Sequence, residues 1–163
     1  VKSFLLGRWT LAKTFDYRVG GGRGSMDGIA TFTEMPQRRS ALMYEERGTV
    51  QLEGVSKPFE AYRKYVFNTG VWPVEVYFVD DPTKKHLDSL IPELDCHTSF
   101  FVPLPFPDEP SAAGMSAESS HLCIDDLYSG SLTVTGDSSF DWRWSIQGPE
   151  KDGDIANSYT RQP

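Results

Sequence analysis

Cysteine is nearly missing from this sequence: Cys96 and Cys123 are the only two in 163 residues. A disulfide framework therefore does not hold the fold, and the spacing of the two does not decide whether they pair. Sparse cysteine points to a reducing, cytoplasmic compartment. No apolar run approaches the roughly 20 residues that cross a bilayer. The opening Val1-Lys2-Ser3-Phe4-Leu5-Leu6-Gly7-Arg8-Trp9 turns polar too soon for a secretory signal. Basic residues are outnumbered, 16 Lys and Arg against 23 Asp and Glu, for a net charge of −7. No Lys/Arg stripe offsets that excess, so phosphate backbones and anionic membranes are poor partners. Histidine occurs three times, as His86, His97 and His121, without His-x-x-x-His or Cys-x-x-Cys spacing, so no structural zinc site is expected. There is no Gly-x-Ser-x-Gly nucleophile elbow. The glycine run Gly20 to Gly24 lacks Gly-Lys-Ser/Thr and precedes a strand, which makes it a hairpin tip and not a phosphate cradle. Helical periodicity is scarce, with Lys2 to Leu6 and Lys84 to Leu90 the only short candidates.

What the sequence does have is strands. Aromatic and β-branched residues alternate with polar ones over Trp9 to Tyr17, Gly28 to Met35, Ala41 to Leu52, Phe59 to Asn68, Val74 to Asp80, His121 to Ile124, Tyr128 to Thr135, Ser139 to Gln147 and Ile155 to Arg161. Turn residues separate them, among them Glu53-Gly54, Asn68-Thr69-Gly70, Thr135-Gly136-Asp137 and Gly148-Pro149. Many short strands without intervening helices predict an all-β chain, an antiparallel meander closed into a barrel or stacked into a sandwich. The length suits one domain over residues 1–163. One stretch breaks the rhythm: residues 92–120 hold five prolines followed by a Ser/Ala/Gly/Glu tract, and read as a long insertion, either a lid or a surface excursion.

A chain-wide succession of residues sharpens the fold. Phe4-Leu5-x-Gly7-x-Trp9 is followed by Tyr44-x-Glu46-x-Gly48, Arg63-x-Tyr65, Phe78-x-Asp80, His121-x-Cys123-x-x-Asp126-x-Tyr128-x-Gly130, Trp142-x-Trp144-x-x-x-Gly148-Pro149-x-Lys151-Asp152 and Tyr159-x-Arg161. This pattern resembles a small, functionally uncharacterised family of lipocalin-like proteins. The resemblance implies a single calycin-type antiparallel β-barrel with a short N-terminal helix, and no activity. It also implies that Trp9 closes one end of the barrel and that Arg161, from the last strand, lies over the indole as a cation on a π face. The chain departs from the pattern at Asp81-Pro82, where the family has Gly-Arg, and in the Pro-rich insertion.

Strand parity then picks out an interior. Leu42, Tyr44, Glu46, Gly48, Val50 and Leu52 share the apolar face of one strand, which turns the Glu46 carboxylate inward. A buried carboxylate needs a donor, and Arg63 on the next strand stands where a hairpin would bring it across from Glu46. Trp142 and Trp144 alternate with polar residues and face inward together; with Tyr44, Tyr65, Phe78 and Tyr128 they would line a pocket for a flat or apolar ligand. His86 and Asp88 follow the strand that ends at Asp80 and put an imidazole near a rim, where it can serve as acid or base. His121, on one face with Cys123, is a further lining candidate, although a strand-end cap is the plainer account.

Two functions follow as expectations. One is a cofactor-independent isomerase or cyclase that holds a small hydrophobic or aromatic metabolite and uses Glu46, Arg63 and His86 for proton transfer and charge stabilisation. The other is a non-catalytic binding protein for a lipid, an aromatic metabolite or haem, the last held by His86 or His121.

Overall fold

Alternation decides the wall of this molecule. Every second residue from Leu42 to Val50 is buried while Arg47 and Thr49 between them reach solvent, the period of a strand with one face on a core. The computed structural model describes residues 1–36, 38–79, 98–107 and 113–163. A short helix, α1 (Lys2–Leu5), leads into strands β1 (Gly7–Val19), β2 (Arg23–Met35), β3 (Arg38–Leu52), β4 (Phe59–Asn68), β5 (Val74–Val79), β6 (Thr98–Leu104), β7 (Ser116–Cys123), β8 (Asp126–Gly136), β9 (Ser139–Gln147) and β10 (Asp152–Arg161). All pair antiparallel in the order β6-β5-β4-β3-β2-β1-β10-β9-β8-β7.

The chain is thus a meander whose first and last strands join, from Trp9 opposite Arg161 to Tyr17 opposite Gly153. β6 and β7 end the order and meet through side chains, with the Phe101 ring 5.3 Å from the His121 imidazole, so the barrel is nearly closed.

One end is plugged. Leu5, Trp9, Phe32, Leu42, Leu104, Leu132 and Phe140 are all essentially inaccessible there. The Trp9 indole N–H donates to the Leu5 carbonyl at 2.8 Å, which ties the barrel floor to α1. Arg161 lies 4.2 Å over the Trp9 ring, donates to the Leu6 carbonyl at 2.7 Å and also binds the Phe4 carbonyl. A partly exposed cation over indole contributes about 1 kcal/mol.

Two expectations change. The segment expected to be an insertion supplies two strands: β6 lies wholly within it, and β7 begins at Ser116, five residues ahead of His121. Pro103 is tolerated in β6 because that strand carries a ladder on one side only. β7 escaped notice because its inward positions, Ala117 and Ser119, are small and give no apolar alternation. His121 consequently does not open its strand but lies two residues before β7 ends at Cys123. The candidate helix Lys84 to Leu90 lies outside the described residues, as do Asp81-Pro82 and Cys96.

Candidate functional site

Above the plug the barrel is not filled. A cavity of about 610 Å3 opens at the opposite end, among the β1–β2, β3–β4 and β7–β8 turns, within the roughly 300–1,000 Å3 of ordinary ligand pockets. Its lining brings Tyr44, Glu46, Arg63, Tyr65, Phe78, His121, Tyr128, Trp142 and Trp144 to one place. His86 and Asp88, and His97 with them, lie outside the described residues. A concavity of about 810 Å3 runs past Thr14, Asp16, Arg143, Ser145 and Asp154. By strand parity these face outward, so that surface is a solvated wall and not an enclosed site.

The aromatic wall is continuous. Tyr65 stacks on Phe101 at 5.7 Å, Phe101 on Trp144 at 5.1 Å, and Phe78 packs 4.3 Å from Phe101. Trp142 and Trp144 lie 5.4 Å apart. Gly130 makes room for the second indole, since a Cβ there would come within 2.5 Å of the Trp144 ring. The Trp142 indole N–H is buried and has no acceptor among the described residues.

Polar groups form one network at the cavity floor. Lys13 donates to Glu46 Oε1 at 2.5 Å, the Tyr44 hydroxyl donates to Glu46 Oε2 at 2.5 Å, and the Tyr44 and Tyr159 hydroxyls lie 3.0 Å apart. Burial, then Tyr159 and Glu46, push the Tyr44 phenol well above its ordinary pKa; burial and Glu46 do the same to Tyr159. Both remain neutral donors at any physiological pH. Asn157, also buried, donates to the Trp142 carbonyl at 2.6 Å.

Register places Arg63 directly opposite Glu46, as the sequence predicts, yet the ion pair to Glu46 comes from Lys13. Arg63 instead donates to the Tyr65 hydroxyl at 3.2 Å and stands exposed at the cavity mouth. Sequence reasoning missed Lys13 although the signal was present: Trp9, Leu11, Lys13, Phe15 and Tyr17 share one parity, so a strand whose Trp9 points inward sends Lys13 inward too. Tyr159 and Asn157 follow by the same reasoning from Arg161. Phe101 was hidden in the presumed insertion, and Lys151 in the Gly148-Pro149 turn.

The profile of a family of unknown function, DUF6314, matches residues 5–161. The chain belongs to that family. Curated proteins gave no match. Among solved structures, this DUF6314 barrel is similar to the S-type phycobiliprotein lyase CPES from Guillardia theta, with a TM-score of 0.54 at 6% identity over 99% of this chain and 90% of that one. It is also similar to two barrels bound to DFHBI. These are the redesigned mFAP1 (TM-score 0.38, 13% identity, 98% of this chain and 97% of that one) and EF1p2_mFAP2b (0.40, 12%, 98% and 95%). At 6% identity the likeness to the lyase speaks to the fold alone.

Proposed function

We propose that this barrel is a receptor for one small, flat, largely apolar molecule held in the cavity. The observation that carries the reading is a cavity of about 610 Å3 with a continuous aromatic wall of Tyr65, Phe101, Trp142 and Trp144. Aromatic walls with few polar groups bind by area and orient by hydrogen bonds.

A second reading, a cofactor-independent isomerase or cyclase, is supported by the Glu46–Tyr44–Tyr159 chain, which joins a carboxylate to two phenols at the cavity floor. It ranks below binding because both Glu46 oxygens are already engaged and both phenols are weak acids.

Native mass spectrometry of the purified protein against a metabolite panel tests both. A compound retained at one equivalent and released unchanged supports the receptor; one released as an isomer or at altered mass makes the protein an enzyme. Absence of any retained compound at saturating concentration contradicts both.

A further inference from the structure

The protein is acidic, yet its cavity is not. Among the described residues Lys13, Arg63 and Lys151 line it against one carboxylate, that of Glu46, in a chain of net charge −7. Lys13 is neutralised by Glu46. Arg63 and Lys151 make no ion pair with a carboxylate among the described residues: Arg63, across from the already paired Glu46, donates to the Tyr65 hydroxyl, and Lys151 interacts with Tyr128. Both line the cavity together with Tyr17.

Lys151 is also built into place. The buried Asp126 accepts the backbone N–H groups of Glu150 and Lys151 at 3.0 and 3.1 Å, which fixes the turn that presents it. Gly148 permits this, because a Cβ there would fall 2.0 Å from the Asp126 carboxylate. Arg63 stays charged, its pKa raised by Tyr65 and by Glu46 despite partial desolvation.

On the receptor reading, we infer that the bound molecule is an anion, a flat aromatic or polycyclic acid whose body stacks on Trp142 and Trp144 while its acidic group stays at the mouth between Arg63 and Lys151. The guanidinium fork and the ammonium retain donors beyond their tyrosine contacts, and an acid supplies the missing counter-charge. A rim that is positive in a negative protein also selects the orientation of entry.

A matched pair of probes tests this: 1-anilinonaphthalene-8-sulfonate and the neutral N-phenyl-1-naphthylamine share one ring system and differ by the sulfonate. The native protein should bind the sulfonate at one equivalent and at least about tenfold more tightly, the gain of one charge-assisted contact. Arg63→Gln and Lys151→Gln should each remove about that factor and leave the neutral probe unchanged. Lys64→Gln, which deletes a cation paired with Glu45 on the outer face, should change neither by more than about twofold. Equal binding of both probes, or equal loss in Lys64→Gln, overturns the anion inference and leaves the receptor standing. Failure of both probes to bind natively folded protein overturns the inference together with the receptor.

Discussion

The two ends of this barrel are made from the same kinds of residue put to opposite use. At the closed end the Trp9 indole has an acceptor, a cation on its face and Phe140 edge-on at 4.9 Å. At the open end the Trp142 indole has no acceptor among the described residues, and Trp144 lines empty volume. Cations differ likewise: Arg161 is spent on carbonyls and a ring, whereas Arg63 and Lys151 make no ion pair with a carboxylate among the described residues. Unfilled volume and unpaired charge mark where a ligand goes; spent groups mark where the fold is held.

Substitutions can break that contrast. The largest effect is expected at Trp9→Ala, which hollows out packed core and should cost about 3–5 kcal/mol in urea unfolding. Trp144→Ala only enlarges an existing cavity and should cost less than half as much while abolishing binding of an aromatic probe. Equal losses would erase the distinction between the ends.

Glu46→Gln strands the Lys13 ammonium and should cost about 3 kcal/mol, as for other broken buried pairs. Adding Lys13→Met should restore a good part of it, and a double-mutant cycle that shows no coupling would remove Lys13 as the partner. Arg161→Lys loses the planar stack and one carbonyl contact, and should lower stability by about 1–2 kcal/mol.

Smaller still near neutrality is the effect of alkali. Burial raises Tyr44, Tyr65 and Tyr159 above the ordinary phenol value of 10.0. Below pH 10 folded and unfolded states hold these protons alike, so their contribution is fully present. Above pH 10 the unfolded chain releases them first and stability falls as pH rises. Phenolate absorbance at 295 nm should therefore lag and then rise together with loss of near-ultraviolet circular dichroism. Full ionisation of every tyrosine in folded protein near pH 10 would contradict the buried network. Least of all in stability terms, Trp142→Phe should move unfolding by about 1 kcal/mol, since its N–H has no partner to lose.

The plugged end was legible through the chain-wide family resemblance, which put Trp9 across the closed end with Arg161 over its indole, and through a short helical pattern from Lys2. The cavity was legible in half. Alternation on β3 and β9 turned Tyr44, Glu46, Trp142 and Trp144 inward, and the β3–β4 hairpin put Arg63 across from Glu46. Which cation binds Glu46 is a three-dimensional choice: Lys13 lies on β1, with β2 between it and β3, and no linear spacing encodes that reach. The Phe101 seam was lost because prolines mask an edge strand and because inward Ala and Ser leave its partner β7 without an apolar signature.

Four tryptophans, Trp9, Trp72, Trp142 and Trp144, give four indole N–H signals in a 15N-labelled sample, and titration with 1-anilinonaphthalene-8-sulfonate tests the contrast between the ends most directly. The account predicts that Trp144 and Trp142 shift through stacking of the probe on the aromatic wall, and that Trp9 stays still. A shift confined to the exposed Trp72, or one as large at Trp9 as at Trp142, would contradict it.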